Sequence, residues 1–115
     1  MNLPRISLMA PARALALACG LLLPATAALA DEYAEVQRLQ RSGQTTEALA
    51  RADKYIAANP RDPQMRFVKA GVLSAANKTA EAEELLVQLT RDYPELPEPW
   101  NNLAVLHASR GQLDK

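Results

Sequence analysis

The chain of 115 residues has one cysteine, one histidine and few aromatic residues, which make up 4% of it. A single cysteine excludes an internal disulfide framework and a zinc site built on cysteines. A single histidine excludes most other zinc sites. Four glycines and eight prolines exclude collagen-like and flexible low-complexity chains. An excess of either charge is missing too, since 13 Lys+Arg balance 13 Asp+Glu. That argues against a strongly basic nucleic-acid binder and against a polyacidic tail. There is no glycine-rich phosphate loop, no metal-ligand spacing and no pair of carboxylates facing an obvious cleft, so neither cofactor nor catalytic residue is expected. What is present is abundant alanine, a composition that favours helices over a β-sandwich. The length suits a single domain.

Residues 1–30 stand apart from the rest. Arg5 and Arg13 precede the apolar run Ala14–Leu23, and no acid occurs before Asp31. Pro24 and a small-residue stretch follow, ending in Ala28-Leu29-Ala30. A positive start, a short apolar run and an A-x-A site describe a cleaved secretory signal. Cys19 resembles a lipobox cysteine only faintly, because Ala16 stands where a leucine is usual and the segment after it stays apolar. The expected mature chain, 31–115, keeps eleven basic and thirteen acidic residues, a net charge of −2, and no cysteine. No later apolar run approaches the roughly eighteen residues of a membrane span. Export, most simply to a periplasm, is therefore expected.

From residue 31 the sequence repeats with a period of 34. Gly43, Asn77 and Gly111 share this spacing, as do Pro60 and Pro94, Pro63 and Pro97, and Glu47-Ala48 and Glu81-Ala82. Asparagine replaces glycine at 77 without loss of the physics, because both tolerate the left-handed backbone that ends a helix. Each unit reads as two helices. Pro63 suits a first helical turn, with Asp62 as its cap, and Phe67, Ala70, Leu73 and Ala76 recur at helical spacing. After Asn77, Thr79 is expected to cap a second helix carrying Ala82, Leu85, Leu86 and Leu89. The first unit offers helices near Glu32–Arg41 and Thr46–Ala58, and a last helix runs from Pro97 to about Ser109. The units are about 31–60, 61–94 and an incomplete 95–115.

The segment Trp100-Asn101-Asn102-Leu103-Ala104-Val105-Leu106-His107 and the pairs Ala82/Leu86 and Ala48/Ala52, each followed by a proline, resemble the tetratricopeptide repeat. The resemblance covers 31–115 and implies an all-α, right-handed solenoid of about 2.5 repeats. Glu32 and Arg66 depart from the large residue usual at the Trp100 position, so the first helix is expected to be a frayed or capping one. Small residues at 48, 70, 82 and 104 let neighbouring helices approach closely. His107 reads as a packing residue in a tyrosine slot. A Ser109–His107 couple is geometrically poor on a helix.

The resemblance also implies a concave groove lined by the first helix of each unit. Its candidate residues are Tyr33, Gln37, Gln40 and Arg41, then Phe67, Gly71 and Ser74, then Asn101, Val105 and Ala108. Gly71 and Ser74 leave room for an extended peptide, and Tyr33 and Phe67 are candidate anchors, although Phe67 is as well placed to pack between units. The Lys and Asn clamp by which some members of the family hold a C-terminal carboxylate is missing. With only Gln112–Lys115 for its second helix, the last unit would leave Trp100, Leu103 and Leu106 as an apolar stripe, making 31–115 marginal or self-associating through this face.

The reading that follows is a non-enzymatic, periplasmic or secreted scaffold with a protein or peptide partner and no nucleic acid. A lipid-anchored pilus or outer-membrane assembly factor, or the repeat part of a longer enzyme, are the alternatives. N-terminal sequencing of protein from an exporting host should show Asp31 as the first residue. A chain beginning at a lipid-modified Cys19 would show the lipobox reading to be correct instead.

Overall fold

The structure, a computed structural model, describes Asn2 and residues 25–111, with side chains from Asp31 onward. The apolar run of the expected signal, Cys19 and Gln112–Lys115 lie outside the described residues. Five helices follow one another: α1 (Ala25–Arg41), α2 (Thr45–Ala58), α3 (Pro63–Ala75), α4 (Thr79–Asp92) and α5 (Pro97–Ser109). The architecture is an all-α helical-repeat solenoid. α1 begins earlier than expected and runs unbroken through Ala30, because the alanine-rich stretch ahead of Asp31 has the highest helix propensity available.

The turn inside each unit is set chiefly by backbone hydrogen bonds. Gly43, Asn77 and Gly111 have φ of 81°, 64° and 69°. After α3, the Asn77 N–H donates to Ser74 O (3.1 Å) and the Lys78 N–H to Leu73 O (2.8 Å). After α1, Gly43 and Gln44 make the same two bonds to Gln40 and Leu39 (3.1 and 2.9 Å). This is the double bond of a Schellman end. Gln44 and Lys78 then serve at once as the N-caps of α2 and α4, and neither makes a side-chain capping bond. The expectation that Thr79 caps α4 is therefore corrected: Thr79 is the first helical residue, since the closing residue of one helix is already the opening residue of the next. Asp62 does cap α3 as expected, accepting from the Gln64 N–H at 2.9 Å.

Packing forms two core clusters. Val36, Leu39, Ala48, Ala52, Tyr55, Met65, Val68 and Val72 make the first. Ala70, Leu73, Ala82, Leu86, Leu89, Leu103 and Leu106 make the second. α3 contributes to both, because helices pack on both its sides. Its buried set includes Met65, Val68 and Val72 as well as the Ala70–Leu73 face read from the sequence. Ala48 and Ala82 are fully buried where the paired helices cross. Burying side chains the size of Met65, Leu86 and Leu89 stabilises the stack by about 1.5–3 kcal/mol each. The expected stripe on α5 needs correcting: Leu103 and Leu106 are buried in the second cluster, whereas Trp100 is 51% and Val105 68% exposed. Ala104 is exposed too. Trp100 is not a core residue among the described residues, and its indole N–H donates to Pro94 O at 3.2 Å. Arg66, one period earlier, donates in the same way to Pro60 O at 3.0 Å.

The two joints between units use equivalent positions in opposite ways. At the first, the Tyr33 hydroxyl donates to Asp62, and the Tyr55 hydroxyl donates to the same carboxylate oxygen at 2.7 Å. The two rings meet edge to face with centroids 5.7 Å apart. One period on, the same three positions hold Phe67, Leu89 and Leu96, which line one small cavity. At the other end of each joint the pattern reverses. Leu49 packs against the cluster that contains Leu73, whereas one period later Glu83 pairs with Arg110, and His107 Nε2 stands 3.9 Å from the same carboxylate.

The triad carries a pH dependence. Burial alone would raise Asp62, but the hydroxyls of Tyr33 and Tyr55 and the Gln64 N–H outweigh it and hold the carboxyl below the ordinary aspartate range. Burial, then the bond to Asp62, pushes Tyr33 up, and burial also raises Tyr55. The Asp62 contribution is present above about pH 4 and is lost as pH falls. The tyrosine contribution is present below about pH 10 and is lost as pH rises. Asp62→Leu alone strands two hydroxyls and removes the cap, and should cost about 1–3 kcal/mol. The triple change Tyr33→Phe, Tyr55→Leu, Asp62→Leu copies the second joint and should recover most of that loss. It should also flatten the melting temperature at both pH limits. A triple variant that melts no higher than Asp62→Leu would show that the hydroxyls are not the cause.

Candidate functional site

α1, α3 and α5 lie side by side, and two adjoining cavities run across them. Gln37, Gln40, Arg41, Gln64, Phe67 and Gly71 help line the first, of about 360 Å³. Gly71, Ser74, Asn77, Val105 and Ser109 help line the second, of about 370 Å³. Gly71 and Asn102 belong to both, so the pair forms one groove crossing the three helices.

Most of the candidate residues read from the sequence are brought together here: Gln37, Gln40, Arg41, Phe67, Gly71, Ser74 and Val105 line the groove. Tyr33 does not. It lines a separate cleft with Tyr55, Asn59, Pro60, Arg61 and Asp62, because its hydroxyl is drawn to the cap of α3. As a groove anchor Tyr33 is therefore corrected to a joint residue. Asn101 and Ala108 are exposed on α5 but line neither cavity. Among the described residues no helix stands beyond α5 to build a wall on that side. Asn102 faces the groove in their place. Phe67 does both things open to it: it packs half-buried against the second core cluster and borders the first cavity. Gln64 and Asn102 went unread in the sequence. Gln64 lies one turn before Phe67 on the same face. Asn102 repeats the position of Val68, a core residue at the first joint, and nothing in its surroundings in the sequence marks the change of role.

Gly71 sits mid-helix at the point where the two cavities join. A Cβ built there meets nothing within 4 Å. Its lack of a side chain thus serves no packing need inside the protein, although glycine costs a helix about 0.8–1 kcal/mol relative to alanine.

The other polar features are structural. A depression lined by α1 and α2 alone carries Arg51 bound to Glu32 at 3.0 Å and Arg38 bound to Glu35 at 2.7 Å. These exposed, solvated pairs add little stability. The Arg51 guanidinium holds the Glu32 carboxyl below its ordinary range. His107 Nε2 lies 3.9 Å from Glu83 Oε1, and the Ser109 hydroxyl donates to Leu106 O at 2.8 Å. The serine's bond directs it into its own helix rather than to the histidine. Among the described residues no three His, Cys, Asp or Glu side chains are placed to hold a metal, and no helix is long and apolar enough to cross a membrane.

A family model described as tetratricopeptide repeat matches residues 39–106. The chain belongs to the tetratricopeptide-repeat family. The match runs from Leu39, in the last turn of α1, to Leu106 in α5 and takes in α2, α3 and α4 whole. A search of the curated proteins found no significant match. Membership makes protein–protein interaction the broad role of this tetratricopeptide-repeat chain.

Gly71→Ala should raise the stability of the repeat stack by about 0.5–1 kcal/mol, read as a higher melting temperature in circular dichroism. An unchanged or lower melting temperature would mean that the open space beside Gly71 is not there in solution.

Proposed function

We propose that this protein is an exported, non-enzymatic scaffold of the cell envelope that holds an extended segment of a partner protein in the groove across α1, α3 and α5. The observation that carries the reading is the continuity of that groove at Gly71, where a residue costly to the helix leaves bare backbone between two cavities. An extended chain needs a long, shallow, open channel rather than an enclosed pocket, and three parallel helices of successive units supply one. The amide and hydroxyl side chains along it, such as Gln37, Gln40, Asn102 and Ser74, can both donate and accept. They therefore suit a peptide main chain, which presents both kinds of group. Export is supported by the sequence of residues 1–30, and a periplasmic location is its simplest destination.

A photo-crosslinking amino acid placed at Ser74 should form adducts with envelope proteins of the exporting host, and Gly71→Leu should abolish them. The same probe at Gln88, exposed on α4, should form none. Equal labelling from the two positions, or labelling at Ser74 that survives Gly71→Leu, would overturn the groove reading.

A further inference from the structure

Charge is distributed unevenly around the groove. The side chains of residues 31–111 include twelve carboxylates, yet not one lines either groove cavity. They are placed elsewhere: Glu32, Glu35 and Glu47 on the outer face of α1 and α2, Asp62 at the first joint and Glu83 at the second. Glu98 lines a small cavity of about 60 Å³ that shares Gln64 and Phe67 with the first groove cavity but does not include Arg41. Among the described residues the groove contains one ionisable side chain, Arg41. Arg38, Arg51, Arg66 and Arg110 are held in ion pairs, whereas Arg41 forms none among the described residues and is exposed, as are Arg61 and Arg91, which lie outside the groove lining. A free guanidinium presents a planar fork of donors that matches a carboxylate with two parallel bonds. With no neighbouring acid to neutralise it, and neutral amides for the rest of the lining, the groove carries an uncompensated positive charge at the C-terminal end of α1. That end of a helix contributes about half a negative charge, too diffuse to substitute for a paired carboxylate.

This inference rests on the groove reading above. We infer that the groove selects an extended peptide segment that is acidic rather than basic, one of its Asp or Glu side chains forking onto Arg41 while a small residue crosses Gly71. A lysine or arginine at the position facing Arg41 places like charges together and has no carboxylate in the groove to turn to.

The test uses the full chain as purified and two random nonapeptide libraries, one with glutamate and one with lysine fixed at the central position. The wild-type protein should capture the glutamate library at least tenfold more strongly. Arg41→Glu should reverse that preference. Gly71→Leu should abolish capture from both libraries while melting as high as wild type, which shows that the loss is not unfolding, and Gly71→Ala, which fits the open space, should retain capture. Equal capture of the two libraries, unaltered by Arg41→Glu but lost in Gly71→Leu, overturns the acidic preference and leaves the groove as the binding site. Capture that survives Gly71→Leu, or no capture from either library, overturns the groove reading along with it.

Discussion

The left-handed residue at the end of each first helix is the constraint on which the rest of the stack depends. At Gly43 and Asn77 the backbone reverses within three residues, and the two hydrogen bonds that close one helix deliver the chain directly to the start of the next. So short a reversal leaves the paired helices no choice but to lie against each other. The fully buried Ala48 and Ala82 then become necessary, because any larger side chain would hold the pair apart. The spacing of these turns, repeated to Gly111, sets the stagger with which successive units meet and so aligns α1, α3 and α5 into a common wall.

Within that frame the joints between units are not interchangeable. One end of the first joint is closed by a carboxylate with two tyrosine hydroxyls, and the equivalent end of the second is closed by phenylalanine and two leucines. The opposite ends exchange roles, leucines at the first joint and Glu83 with Arg110 at the second. Shifting one unit by a period would set a carboxylate against leucine and leave hydroxyls unpaired. Each joint therefore carries information about which neighbour belongs there, over and above the stability it supplies.

Much of this was legible in the sequence because it depends on local backbone chemistry. A residue tolerant of positive φ, a proline in the first turn and alanines at a fixed period act within a few positions of themselves. What was not legible depends on what stands opposite. Thr79 has the chemistry of a cap, but the backbone had already used Lys78 for that purpose. Tyr33 has the character of an anchor, yet a carboxylate 29 residues away claims its hydroxyl. Trp100 fits the family's core position, and its exposure reflects the neighbourhood of α5 rather than its own identity. In the groove, Gly71 and Ser74 were placed by the family resemblance, and their small size was readable directly. Gln64 and Asn102 join them only through the way α3 and α5 are turned toward each other.

The ion pairs on the face of α1 and α2 bear on what can pack there. Glu32, Glu35, Arg38 and Arg51 already satisfy one another in water, and an apolar surface laid over them would strip that water without replacing it. The face therefore favours solvent or a polar neighbour over an apolar one.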